Sequence, residues 1–422
     1  MANQTSAPNP GDAGAPPLVL PKRSWKLLRR SAGCVALAVV LFVLMVWLDA
    51  LLTRLPSLAG NRARAERVGV IHVHTNASCG SGSLAQVIAD AKRADLSFLA
   101  ITDHNVALSD AEVASADPPE FAVIDGEEVS TASGHYLALG VSGNRWDRGE
   151  GFNARSLMAS SRKAGAVNLI AHPYGLRDRW ADWGAADYDG IEIFNDDAVW
   201  RKNKVFDIVI AALMYPVNSR LALLRLARTP TENLAKWDQL LLERPVAGIC
   251  GSDAHANIIV GQRSIARFPS YLSVFSLART HVLLGNQPGV DPGQADSDAI
   301  LRAIRHGNSF CAVDALYPAD GFTQTVASAA GSAGPGNSIA WQQGETLRVE
   351  VPWGAGKARI RVLRDGQQIA EEETQALDLP VPGPGHYRTE AYLRQPGFTG
   401  WRRWTLWIFS NPVYVTAPTA LR

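Results

Sequence analysis

From Val68 onward short apolar runs recur, each ending in polar residues and most followed by a stretch of helical periodicity. The runs are Val68–Val73, Ser97–Thr102, Phe121–Ile124, Tyr136–Val141, Ala166–Ala171, Gly190–Phe194 and Val246–Cys250. Their shortness and β-branched content predict buried strands. Ser83–Asp95 opens with Ser-x-x-Gln, a capping box that starts a helix. Asn153–Lys163 and Thr231–Glu243 predict two more helices. The link between the third and fourth runs is too short for a helix, so that pair is expected to be antiparallel. About seven strands, mostly alternating with helices, predict an α/β barrel with its chemistry at the C-terminal ends of the strands.

Two other regions have a different texture. Ser31–Leu48 carries no charge and follows a basic cluster of Lys22, Arg23, Lys26, Arg29 and Arg30. Spanning a bilayer takes ~20 apolar residues, and Ala50–Leu52 can extend the run past Asp49. The expectation is a disordered basic cytoplasmic tail over residues 1–30 and a transmembrane signal anchor over 31–52, with the rest of the chain extracytoplasmic, in the periplasm of a Gram-negative source. A cleaved signal peptide is the alternative; the run exceeds a signal core of ~7–15 residues and no A-x-A site follows. Trp200–Arg228 is apolar and basic, and Pro216 splits it into two helices that either pack on the barrel or touch a membrane surface. Beyond Tyr317, a linker-like Ala327–Ser338 leads to alternating runs (LRVEV, ARIRVLRDG, GHYRTEAYL, WRRWTLWIF, NPVYV) separated by turn signals. These predict an all-β immunoglobulin-like sandwich over residues 339–422.

Composition narrows the function classes. The net charge of +1 gives no specific nucleic-acid signal, and nothing in the sequence indicates an oligomeric state. Of the four cysteines, Cys34 lies in the apolar segment and leaves an odd number outside, so no disulfide framework is expected; no CxxC zinc module is present.

The candidate chemistry lies in histidines. Six of the nine (His72, His74, His104, His135, His172, His255) fall at strand tips or in adjoining turns. His72 and His74 are one residue apart, and residues i and i+2 of a strand share a face, so both imidazoles can reach one metal ion. Asp103, Glu127, Glu128, Glu192, Asn195 and Asp253 add polar groups at the same tips. His135 precedes its run and joins that rim if its strand enters the barrel in the opposite direction. Imidazoles and carboxylates gathered at strand ends are what a multinuclear hydrolytic site needs.

HVHT, ITDHN, GEEVS, GHYLALG, AHP and GSDAH occur in that order. Together they resemble the polymerase and histidinol phosphatase (PHP) family of metal-dependent phosphoesterases over roughly Val68 to Asp314, within a barrel domain expected over residues 68–318. The resemblance implies a distorted (β/α)7 barrel, two or three divalent ions (Zn, Mn or Fe) and hydrolysis of a phosphate mono- or diester. It implies His72, His74 and Asp253 as ligands of a first metal and Glu128 as the bridging carboxylate, with Glu127 as the register alternative. His135 and His172 resemble ligands of a second metal, and His104 and His255 those of a third. One departure stands out: in HVHTNASCG, Cys79 replaces an acid found in many members, and Gly80 replaces a histidine of others. Cys79 is therefore expected to be a small buried residue, with thiolate ligation as the alternative, and a third metal is expected to be weak or absent. Two cations ~3.5–4 Å apart would neutralise the phosphoryl oxygens, activate a water and stabilise the leaving oxygen. Asp103 would orient a ligand or accept a proton, or merely cap a strand end. Arg177, and less so Arg179 and Arg263, are candidates to meet the phosphate, with a solvated surface arginine as the alternative for each; Glu192 and Asn195 would hydrogen-bond near the site. The expected protein is a membrane-anchored phosphoesterase. A hydrolase of another bond, or an inactive barrel that binds through its sandwich, is the alternative.

Overall fold

The apolar run after the basic cluster is one helix, α1 (Lys22–Leu52). The computed structural model describes residues 22–59, 65–116, 121–141, 151–176, 178–260, 263–266, 268–285, 297–329, 331–397 and 403–418. Of the tail expected to be disordered over residues 1–30, residues 1–21 lie outside them, and residues 22–30 are instead the first turns of α1.

Strand pairing closes a ring of seven staves. β1 (Glu66–Val73) leads through α2 (Leu84–Arg93) to β2 (Phe98–Ile101), its parallel neighbour, and through α3 (Asp110–Ala116) to β3 (Ala122–Ile124), parallel to β2. β3 continues past Asp125 into β4 (Gly126–Thr131), so the two form one bent stave; an isolated parallel bridge from His104 to Glu128 ties it to the tip of β2. β5 (Gly134–Leu139) is antiparallel to β4 and to the next stave, as the short link predicts. After α4 (Ala154–Lys163) come β6 (Val167–Ile170) and β7 (Gly190–Asn195), then α5 (Asp196–Arg201), α6 (Val205–Met214), α7 (Ser219–Leu226) and α8 (Thr231–Leu241). β8 (Ala247–Ala254) pairs in parallel with β7 on one side and β1 on the other, completing the ring. The Ser83 capping box starts α2 as its sequence predicts. Trp200–Arg228 holds two helices, α6 and α7, with Pro216 between them as expected; its first two residues end the preceding α5, which Asn195 caps.

The ring is filled by Ile71, Ala100, Ile124, Leu137, Leu169 and Ile249. After the hairpin β9 (Ile258–Val260) and β10 (Arg263–Ala266), and α9 (Tyr271–Val274), the chain forms β11 (Arg279–Leu283), α10 (Ser297–His306) and β12 (Ser309–Ala312). α10 closes the end of the ring opposite the strand tips. Its Ile300 and Ile304 join the inner cluster, and Arg305 bonds the carbonyls of Gly165 and Ala166 just ahead of β6.

The C-terminal region comprises β13 (Thr323–Ser328), β14 (Gly331–Ala333), β15 (Ser338–Ala340), β16 (Thr346–Glu350), β17 (Ala358–Arg364), β18 (Gln367–Thr374), β19 (Ala376–Pro380), β20 (Gly385–Arg394), β21 (Trp404–Ser410) and β22 (Val413–Thr416). β13, β14, β16 and β19 form one sheet; β20, with β17, β21 and β22, organises another. Val326 and Val349 of the first share a core with Ile360, Ala391 and Ile408 of the second. The supposed linker at Ala327–Ser338 holds the end of β13, all of β14 and the start of β15. Its small residues are paired backbone rather than spacer. The sheets are also continuous with the barrel: β1 pairs with β11, β11 with β12, and β12 with β21.

Two bonds fasten this junction. Cys250 of β8 and Cys311 of β12 form a disulfide with Cα atoms 5.7 Å apart, which corrects the expectation of none. Parity misled because the odd cysteine, Cys79, has another place. The second is His281 on β11, fully buried, with Nδ1 2.6 Å from Glu66 and Nε2 3.2 Å from Asp314. Both nitrogens face carboxylates, so the ring carries two protons. Burial opposes the charge, but Asp314 and Glu66 outweigh it and raise the imidazole to about 9.

His281 therefore contributes stability fully below the ordinary imidazole range and loses it as pH rises through about 9. The thermal stability of wild type should fall between neutral pH and pH ~10. His281→Gln should lose ~3–5 kcal/mol at neutral pH, as when a buried ion pair loses one partner, and show a flatter pH dependence. Equal pH slopes in the two proteins would show that this imidazole carries no extra proton.

Candidate metal centre

His72 does not reach the rim by simple strand alternation. Its φ is 70°, and the register of β1 slips on both edges: between Val70 and Val73 against β2, and between Ile71 and Val73 against β8. His74 lies one residue past the strand end. The two imidazoles thus converge through a kink, with ring centroids 5.1 Å apart. His172 and Asp253 also have positive φ, 27° and 48°. Non-glycine residues seldom occupy that region, and several at one rim mark strain held by the surrounding fold.

Glu128 on β4 is the meeting point. Its Oε1 lies 2.8 Å from His135 Nδ1 and 2.9 Å from His172 Nε2. Its Oε2 lies 3.2 Å from His72 Nε2, from His74 Nε2 and from His104 Nδ1. Asp253 Oδ1 lies 3.4 Å from Nε2 of both His72 and His74, and 3.5 Å from His255 Nδ1. His135 stands at the start of the antiparallel β5, on the same rim as the other tips. Donor atoms fall within 4.8 Å of one another in four overlapping groups: His72, His74 and Asp253; His72, Glu128 and His172; His104, Glu128 and His135; and His74, Cys79, His104 and His255.

Protons alone satisfy this cluster poorly. Burial works against charging His72, yet Glu192, Asp253 and Glu128 raise it well above the usual imidazole value. His74 is raised likewise, against burial, by Asp253, Cys79 and Glu128, and His172 reaches about 9 against burial through Glu128. Glu128 is held well below the carboxylate range despite its burial, chiefly by His72. Even so, His72 Nε2, both nitrogens of His74 and His172 Nδ1 are buried without a hydrogen-bond partner. Buried polar atoms are ordinarily satisfied. Divalent cations among these lone pairs and carboxylates would satisfy them, so the donor set fits a multinuclear metal site.

Solved structures similar to this chain include PHP-like proteins. A two-domain protein containing predicted PHP-like metal-dependent phosphoesterase from Bacteroides vulgatus is 13% identical, with 85% of this chain and 98% of that chain covered and a TM-score of 0.38. A candidate metal-dependent phosphoesterase from Bifidobacterium adolescentis is 16% identical over 44% of this chain and 87% of that chain, with a TM-score of 0.28. An amidohydrolase from Chromobacterium violaceum, with bound sulfate and no metal, is 16% identical over the same shares, with a TM-score of 0.27. No family model and no curated protein matches the chain. The barrel and the candidate metal centre rest on this chain's own strand pairings and donor atoms.

The neighbours of the cluster have definite places. Glu192 accepts from His72 Nδ1 at 2.7 Å, from the His172 backbone N–H at 2.6 Å and from Asn195 Nδ2 at 2.8 Å, so it orients two of the imidazoles. Asp103 is buried, and its carboxylate accepts from the Thr75 N–H and hydroxyl and from Ser78 Oγ. It thereby holds the turn that carries Cys79. Burial alone would raise that thiol, but His104, His255 and His74 bring it down to about 4. Such surroundings favour the thiolate form, and Cys79 is half-buried rather than fully buried as expected from the sequence. Arg177 lies outside the described residues, as does the side chain of Arg263. The Arg179 guanidinium lies 4.6 Å from the Tyr174 ring centroid. Sequence reasoning missed Asp196. Both its oxygens are buried without a partner, and burial, with Asp253 and Glu192 nearby, pushes it well above the carboxylate range. Only its position directly after Asn195 at a strand tip could have flagged it.

Glu192 reaches His72 because residue 251 is glycine: a Cβ there would run into the Glu192 carboxylate. Gly251→Ala should weaken metal affinity ~10–100-fold, the usual effect of disturbing a group that orients a ligand, while circular dichroism stays as in wild type. Chelator competition measures it. Unchanged affinity would mean that Glu192 does not hold His72 in place.

Proposed function

We propose that this protein is a membrane-anchored, metal-dependent phosphoesterase that hydrolyses phosphate mono- or diesters. One observation carries the reading: five imidazoles from four segments of the rim converge on the two oxygens of Glu128, and four buried nitrogens among them have no hydrogen-bond partner. Divalent ions such as Zn, Mn or Fe held there would neutralise an anionic phosphoryl group, activate water and stabilise the leaving oxygen.

The chain's own groups prepare that site. Glu192 accepts a hydrogen bond from the Nδ1–H of His72, leaving Nε2 as a lone-pair donor. The Asp253 carbonyl does the same for His255 Nδ1. Glu128 bridges, and Asp103 positions the turn from Thr75 to Cys79. Cys79, with His74, His104 and His255, offers a third position of three nitrogens and one sulfur, a donor set suited to zinc. Beside His172 and Asn195, a cavity of about 100 Å³ lined also by Tyr174, Lys202 and Arg228 can receive a substituent of the ester.

Support for the anchor comes from α1, whose residues Arg30–Leu52 are long and apolar enough to cross a membrane. The basic cluster before it favours a cytoplasmic N-terminus, and the Cys250–Cys311 disulfide suits an oxidising extracytoplasmic compartment. The two C-terminal sheets read as an immunoglobulin-like module.

His74→Ala and Asp253→Ala should each abolish hydrolysis of an aryl phosphate by the Mn- or Zn-loaded protein while the thermal transition persists. Turnover at the wild-type rate in either variant would remove the mechanism, and a panel of mono- and diesters separates the substrate classes. Cobalt(II) substitution tests the third position. Wild type should show a thiolate-to-metal charge-transfer band that Cys79→Ser lacks; the same near-ultraviolet spectrum in both would rule out sulfur ligation.

A further inference from the structure

α1 meets the rest of the protein along one stripe. Phe42, Val43, Val46, Asp49 and Ala50 are wholly or partly buried, at helical spacing, while the helix surface between residues 30 and 41 is exposed. Phe42 stacks against Phe206 of α6 at 6.1 Å, and Trp47 Nε1 donates to the Leu213 carbonyl at 3.0 Å. Asp49 pairs with Arg225 of α7 at 2.9 Å, and Asn218 bonds the carbonyls of Ala50 and Thr53. Contact therefore begins at Phe42, only ~18 Å along the axis from Arg30 at 1.5 Å per residue.

A hydrocarbon core of ~30 Å takes ~20 residues of helix. Counted from Ser31, the crossing extends to about Ala50, eight residues past the first contact. On that count the last ~12 Å of α1 would lie in the bilayer while packed against α6 and the start and end of α7. α6 has the surface for it. Val205, Phe206 and Val209 are 77%, 55% and 46% exposed and follow one another on its outer face. The single charge in VFDIVIAALM, Asp207, is turned inward and bonded to Arg228. Lys204, just ahead of the helix, has a stem long enough to carry its ammonium toward the headgroups.

Resting on the anchored reading above, we propose that α6 is a second membrane element: it lies beside α1 in the leaflet on the catalytic side, with Val205, Phe206 and Val209 in lipid. The side cavity next to His172 includes Lys202, three residues before α6, and Arg228, the partner of α6's Asp207. Immersion of α6 thus holds the metal centre's side entrance against the headgroup layer, where phosphoesters of lipids are presented to it.

The test uses the full chain in phosphatidylethanolamine–phosphatidylglycerol vesicles, with the photocrosslinker p-benzoylphenylalanine placed singly at Leu41, Phe206, Val209 or Leu242, and mass spectrometry of the adducts. Leu41 reports the anchor; Leu242, 62% exposed beyond α8, is the control away from both helices. Lipid adducts at 41, 206 and 209 but not at 242 are expected. Adducts at 41 with none at 206 and 209 would overturn the proposal and leave the anchor standing. Protein–protein adducts at 206 and 209 would overturn it in favour of a second copy of the chain on that face. No lipid adduct at any position would remove the anchor and this proposal together.

Discussion

One carboxylate, Glu128, sits within contact distance of imidazoles from β1, the turn after it, the tip of β2, β5 and the loop after β6. Gathering that many buried lone pairs in one place is unfavourable unless something positive lies among them. Protons can do part of this, and the raised imidazoles of His72, His74 and His172 are the sign of it. Cations do it better, because they bind lone pairs that protons leave orphaned. The rest of the rim follows from this constraint: Glu192 and Asp103 are spent on orientation rather than charge balance, and Gly251 is small so that Glu192 can approach.

The strain at the rim is supported from the other end. His72, His172 and Asp253 hold positive φ at the tips of strands that are otherwise regular. α10 closes the far end of the barrel, and the Glu66–His281–Asp314 chain and the Cys250–Cys311 disulfide fasten the barrel to the C-terminal sheets. The continuous run of pairing from β1 through β11 and β12 to β21 makes the two regions one framework. A site built from strained tips needs such a base, since its donors must not relax apart when no cation is present.

Much of this was legible in the sequence because its signals are local. Strand-length apolar runs, the Ser83 capping box and the too-short link before β5 each act within a few residues. The rim histidines were legible because polar groups at the ends of apolar strands are unusual. What stayed hidden depends on distant partners. Cys250 and Cys311 are 61 residues apart and meet only because β8 and β12 flank the same junction. The kink at His72 reverses the simple face-sharing argument, and no propensity encodes a left-handed histidine. Cys79 looked like the loss of a ligand; its surroundings, three imidazoles and a turn held by Asp103, exist only in the folded chain. Glycine- and serine-rich strands such as β14 look like linkers because pairing, not side-chain burial, defines them.

The central claim is that the rim gathers cations. Elemental analysis of the purified full chain, after dialysis against metal-free buffer, tests it most directly. Two to three equivalents of zinc, manganese or iron per chain are predicted, falling when His72 and Glu128 are both replaced by alanine. Fewer than one equivalent in the wild type, with no uptake on adding these metals, would contradict the account.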